Sequence, residues 1–225
     1  MADSGGVNRG HDRSFYQKVT FALIHTCIVA TCIWLTFGPI DWPNPMRARL
    51  LSFFAILYWA RHCVTLFILL KRQVAYSEVF GLSVFIAVFE IGFVLLGAGI
   101  LTDSPAPLGS LDWVALALVL LGSYLNTGSE LQRWQWKKLP SSKGHCYTTG
   151  LFGYATHINY FGDSVLFTGW AMLAASIFAW GIPIFVTAGF VFFHIPALDA
   201  YLSKRYGADF DEYAAKTAKL VPLIY

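Results

Sequence analysis

VFGLSVFIAVFEIGFVLLGAGIL, residues 79–101, runs for 23 residues with a single charge, Glu90. At about 1.5 Å per residue, a helix of that length crosses a hydrocarbon core of about 30 Å. Similar stretches lie at roughly 19–38, 50–70, 112–129, 161–180 and 182–198. The fourth is short and interrupted by Gly122 and Gly128, and the last two form a hairpin punctuated by Gly181 and Pro183. The pattern predicts an all-α fold: a polytopic membrane helical bundle with about six transmembrane helices and a cytosolic C-terminal tail. Residues 1–18 read as a polar cytosolic leader and 19–225 as one membrane-embedded domain. The leader does not read as a cleavable signal peptide, because the apolar segment after it is too long.

Composition agrees. The 225 residues are 56% hydrophobic and 17% aromatic, and only 13% are charged, against roughly 25% in a soluble domain. So few charges cannot clothe a soluble surface, which excludes a soluble enzyme, a disordered tail and a disulfide-stapled secreted domain. The net charge of +3 is no nucleic-acid signal, because the basic residues sit at membrane boundaries. Cys27, Cys32, Cys63 and Cys146 lack CxxC spacing, so neither a disulfide framework nor a metal site is indicated.

Of the 15 basic residues outside the spans, 13 fall on one side if six helices are assumed, and only Arg47 and Arg49 fall on the other. The positive-inside rule then makes both termini cytosolic and puts the loop around Lys137–Lys143 on the same face as the tail.

Arg61 and Glu90 are the two charges deepest in apolar surroundings, where ionisable residues are costly and often functional. They lie nearly equally far from the turn at 73–77, so a structural ion pair and a direct chemical role are both open. His25 reads as a hydrogen-bonded packing histidine. Tyr58, one turn before Arg61, shares its face and can donate to a polarised carbonyl. At the end of the fourth span, LNTGSELQRWQWKK from Leu125 aligns Asn126, Glu130, Arg133 and Lys137 on one helical face. Such a row can hold a ligand's amide or hydroxyls at one end and phosphates at the other. The alternative is a helix leaving the membrane, with Trp134 and Trp136 at the interface and cations snorkelling to lipid.

The C-terminal third carries GLFGYATHINYFGD, residues 150–163, and a tail ending YLSKRYGADFDEYAAKTAKLVPLIY. These resemble the membrane-embedded steroid and sterol reductases. In that family a GLF-type turn precedes a His-x-Asn-Tyr-x-Gly-acidic segment, and a Tyr-Gly … Tyr … Ile-Pro-x-Ile-Tyr signature closes the chain. Here the elements are Gly150–Phe152, then His157, Asn159, Tyr160, Gly162 and Asp163, then Tyr206, Gly207, Tyr213 and Pro222–Tyr225. Asn126 and Glu130 match the Asn-x-x-x-acidic pair of the steroid 5α-reductases, and Tyr58 and Arg61 their Tyr-x-x-Arg pair. The resemblance spans about 55–225 and leaves 1–50 unmatched.

The resemblance implies hydride transfer from NADPH to an activated carbon–carbon double bond of a steroid-like lipid, in the endoplasmic reticulum or a bacterial inner membrane. It makes Asn126, Glu130, Arg133, Lys137, His157, Asn159, Tyr160, Asp163 and Tyr201 cofactor-binding positions. Tyr58 becomes the donor to the substrate carbonyl, with Glu90 as a second catalytic candidate. Hydride addition to an enone develops charge on the carbonyl oxygen, which a buried donor stabilises, and a proton must follow.

Three departures stand out. Thr156 and Ile158 replace the arginine and proline of an Arg-His-Pro-Asn-Tyr pattern, and FFHIPALDAYL before the tail keeps only His194, Asp199 and Tyr201. The first span has no Gln-Glu pair. The isoprenylcysteine and phospholipid methyltransferases, which bind S-adenosylmethionine, share the C-terminal architecture, so a methyltransferase and a non-catalytic membrane protein stand as alternatives.

Overall fold

The computed structural model describes residues 14–38, 40–99 and 107–225. Most of the expected leader lies outside the described residues, but helix is already present from Phe15. Among the described residues seven helices follow in order: α1 Phe15–Phe37, α2 Pro45–Leu69, α3 Tyr76–Gly97, α4 Ser110–Trp136, α5 Ile158–Ala174, α6 Ile177–Tyr206 and α7 Ala208–Lys216. Outside the helices and short turns, the described residues show one isolated β-bridge, Ala155 with Ala218. The fold is an all-α polytopic membrane bundle.

Five of these helices, α1–α4 and α6, are long and apolar enough to cross a membrane. The fifth expected span is the 17-residue α5, about 25 Å long and at the short end of spanning lengths. It stops earlier than expected because Ala175 turns into the left-handed region at φ 51°. The fourth expected span is not cut short by glycine; it continues to Trp136.

The chain packs as two compact units. The first comprises α1–α3, the start of α4 and residues 168–182. Its core is an aromatic knot in which Trp170 meets Tyr58, Phe89 and Phe93 edge to face, at centroid separations of 5.6, 5.3 and 6.0 Å. On α3, Val79, Ser83, Ile86, Phe89, Glu90 and Phe93 are buried while Phe80, Val84 and Val88 are exposed. Both faces are thus largely apolar, as befits a helix with protein on one side and lipid on the other. Asn44 caps α2 by accepting from the Arg47 backbone N–H at 3.1 Å, and Pro45 follows where its missing N–H costs nothing. Arg47 itself, read from sequence as a loop charge, is buried: its guanidinium meets Asp112 at 2.5 Å and donates to Leu173 O at 2.6 Å.

The second unit comprises residues 118–167 and 183–225. In it α4 and α5 cross at glycine. A Cβ on Gly122 would sit 2.4 Å from Leu166 N, and one on Gly162 would sit 2.5 Å from Asn126 N. Only residues without a side chain allow backbones so close. Below the crossing, Phe152, Ala155 and Ile158 form a small core with Leu125, Tyr147 and Phe161.

Candidate functional site

The close crossing brings two polar rows of the second unit into contact. Asn126 lies in a π-helical turn, Tyr124–Gly128, that interrupts α4; such turns are frequent at functional sites. Its side-chain amide donates to Asp163 Oδ2 at 2.9 Å and to Asn159 O at 3.1 Å. The Asn159 amide in turn donates to Glu130 Oε1 at 3.0 Å. The other oxygen of Glu130 accepts from Arg133, whose guanidinium lies 5.3 Å from the centre of the Phe152 ring. Helix α5 begins at Ile158, so Asn159 and Asp163 point the same way, onto α4. Asn126, Glu130 and Arg133, which share one helical face, are therefore brought together with Asn159 and Asp163, which the resemblance places beside them as cofactor positions.

Cations gather beside this network. Burial and the nearby Arg133 charge lower the pKa of Lys137 from the ordinary lysine value, and Arg205 adds to the repulsion. Arg205, which sequence reasoning missed, donates to the Tyr201 hydroxyl at 2.5 Å from one turn further along α6. Its signal was present in the i, i+4 spacing from Tyr201. The crowding of three cations on few carboxylates is what an anionic ligand would relieve.

His157 and Tyr160 stand on the opposite flank of α5's first turn. The two rings stack at 5.5 Å, and Tyr160 stacks in turn on Phe190 at 4.4 Å. His157 is buried, and its Nε2 lies 2.7 Å from Asp199 Oδ1, while Lys219 Nζ lies 3.4 Å from Asp199 Oδ2. The tail is laced to this segment. The Thr156 and His157 backbone N–H groups donate to Ala218 O and Lys219 O at 2.8 and 3.0 Å, and the Thr156 hydroxyl also donates to Lys219 O at 3.0 Å. Where the reductase pattern carries arginine, Thr156 thus anchors the tail, and the tail supplies a cation, Lys219. No local sequence spacing could reveal this, because the pairing spans 63 residues.

Two neighbouring groups are structural. The Tyr213 hydroxyl donates to Phe152 O at 2.6 Å, and burial pushes its pKa up. Burial and the Asp209 carboxylate raise the Cys146 thiol, so it is a poor nucleophile near neutral pH.

A second polar cluster belongs to the first unit. Glu90 on α3 is not paired with Arg61: its Oε1 lies 2.9 Å from His25 Nε2 on α1. Similar depth along two helices does not fix which way each side chain faces, and Glu90 faces α1. His25 Nδ1 lies 3.2 Å from His62 Nδ1 on α2. The His62 ring packs against Tyr58 at 4.3 Å, and the Arg61 guanidinium lies 5.4 Å from the centre of the Tyr58 ring. Sequence reasoning passed over His62, although its place one turn after Tyr58 put it on the same face.

A family profile described as "Protein of unknown function (DUF1295)" matches residues 46–217. The Delta(14)-sterol reductase of Schizosaccharomyces pombe is 30% identical over 148 residues, covering 58% of this chain and 34% of that protein. The chain thus spans about a third of the length of that relative. The resemblance to a sterol reductase-like membrane family, read from the motifs, is borne out.

Proposed function

The chain belongs to the DUF1295 family of sterol reductase-like membrane proteins, and on that premise we propose that it is an NADPH-dependent reductase of an activated carbon–carbon double bond in a steroid-like lipid. The observation that carries this reading is the interlocked set Asn126, Glu130, Asn159 and Asp163, flanked by Arg133, Lys137 and Arg205. Amides and carboxylates suit the carboxamide and ribose hydroxyls of a nicotinamide nucleotide, and crowded cations suit its phosphates. The donor set therefore fits the cofactor. His157, Tyr160 and Tyr201 frame the same part of the unit, with Lys219 as a further cation.

When bound, the cofactor supplies a hydride; the protein supplies positioning and electrostatics. Asn159 and Asp163 orient the nucleoside end. Lys137 and Arg133 neutralise phosphate. Tyr58 is the candidate donor to the substrate carbonyl oxygen, where charge develops during hydride addition. The membrane is the endoplasmic reticulum or a bacterial inner membrane, with both termini on the cytosolic side, where NADPH is met.

The test is a thermal-shift comparison of the purified protein in detergent with NADPH or S-adenosylmethionine. A ligand at 100 times its dissociation constant stabilises by about 2.7 kcal/mol. Stabilisation by NADPH alone is expected. Stabilisation by S-adenosylmethionine instead would make the protein a methyltransferase, and a response to neither would make it non-catalytic.

A further inference from the structure

We propose that Glu90, His25 and His62 form a one-proton store within the membrane, and that His62 Nε2 is the mouth from which the proton reaches the substrate. The inference rests on the reductase reading and deepens it. Three titratable side chains from α3, α1 and α2 are joined by two contacts, 2.9 and 3.2 Å long. The side chains of His25 and Glu90 have no exposed surface, and Glu90 Oε2 has no hydrogen-bond partner among the described residues. His62 alone of the three keeps some exposed surface, which makes it the end of the chain able to exchange a proton.

Each contact needs one proton between its two atoms, and there are two ways to provide both. In the loaded form, neutral Glu90 donates to His25 Nε2, His25 Nδ1–H donates to His62 Nδ1, and His62 Nε2 carries a hydrogen. In the spent form Glu90 is a carboxylate accepting from His25 Nε2–H, His62 Nδ1–H donates to His25 Nδ1, and His62 Nε2 is bare. Both hydrogen bonds survive in both forms, and no ring has to rotate. One proton given up at His62 Nε2 is replaced stepwise from His25 and finally from Glu90.

The proton has a use. Hydride addition to an enone pushes the double-bond pair onto the carbonyl oxygen and leaves an enolate. The neighbouring carbon then forms a C–H bond as the His62 Nε2–H bond breaks, and the enolate pair restores the carbonyl. His62 lies beside Tyr58, the residue assigned to the carbonyl, at a ring separation of 4.3 Å. Delivery strands a carboxylate at Glu90 in a dry site, which favours reloading through His62. The other titratable or charged groups around the chain are Tyr58 and Arg61 on α2 and Cys32 on α1.

Infrared difference spectroscopy of the full chain in phosphatidylcholine nanodiscs tests the store without any catalysis. A protonated carboxyl band is expected at neutral pH, absent in Glu90→Gln and lost in alkali. Its response to a pH jump should slow in His62→Phe, and also in His62→Gln, which keeps a polar partner for His25 should the phenylalanine variant fail to fold. Absence of a Glu90 band at every pH, or an unchanged response in both folded variants, would overturn the store. NADPH oxidation with progesterone as probe forms a separate arm, in which His62→Gln should lower kcat by about 10²-fold, the lower end of general-acid contributions, and enlarge the solvent isotope effect. A folded variant with wild-type kcat and isotope effect would overturn the delivery role. Inactivity of the wild-type protein on steroid enones would overturn the reductase reading, and the infrared result would then decide the store by itself.

Discussion

Glu90 and Glu130 are both carboxylates on apolar helices, and they are housed in opposite ways. Glu90 has no exposed side-chain surface and one partner, a histidine, whereas Glu130 keeps 18% of its side chain exposed and is held by an asparagine amide and an arginine. A carboxylate sealed in a dry site is stable only if its protonation can adjust, so its partner must titrate too. One at a wetter edge can stay charged, pair with a permanent cation and exchange partners with a ligand. The first arrangement suits proton handling and the second suits binding.

The comparison breaks most visibly at His25. His25→Leu leaves the Glu90 carboxyl sealed without its partner and should cost about 1–3 kcal/mol, the range for leaving a buried polar group without its hydrogen bond. Arg133→Met, which removes the partner of the more exposed Glu130, should cost about 1 kcal/mol or less, as for exposed pairs. Denaturation in detergent measures both. A double-mutant cycle over His25 and Glu90 should show strong coupling, and additive losses would dissolve the pair.

The same contrast explains what the sequence revealed. Span positions follow from hydropathy and the shared face of Asn126, Glu130 and Arg133 from helical spacing, so both were legible, whereas Asn159 and Asp163 were marked only by the resemblance. The partner of Glu90 was not legible, because depth in the membrane says nothing of azimuth. Gly122 read as an interruption, yet it and Gly162 allow the crossing that assembles the polar cluster. Arg47 read as a boundary charge, but its partner Asp112 lies 65 residues away. The Lys219 cation depends on tail docking, which no local pattern encodes.

A second test moves the crossing. Gly162→Ala puts a methyl 2.5 Å from the Asn126 backbone nitrogen, and overpacking of that kind costs about 1–3 kcal/mol. Because α4 must retreat, NADPH affinity should fall with stability, whereas the infrared signature of Glu90 should persist. Loss of that signature would show that the two clusters are not independent.

Within the binding cluster, Asn159→Ala and Asp163→Ala should each weaken NADPH binding by about 1–3 kcal/mol, the usual result of leaving polar partners unmade. Isothermal titration of the folded variants measures this. Unchanged affinity in both would remove them from the site and leave the α4–α5 network a packing device.

The smallest expected effect is a slope. Burial and the Arg133 charge disfavour the ammonium of Lys137, so it gives up its proton at lower pH than an ordinary lysine, whose value is 10.5. A phosphate held beside it favours the charged form and raises that pKa again. Binding therefore takes up protons in the alkaline window below 10.5, and NADPH affinity should fall there as pH rises, by at most about tenfold per pH unit for one linked proton. Lys137→Met has no proton to lose at that position and should bind more weakly throughout, with that fall absent. If the wild-type profile is flat across the window, or the fall persists in Lys137→Met, then Lys137 does not face the phosphates, and the cations of this cluster serve the lipid interface instead.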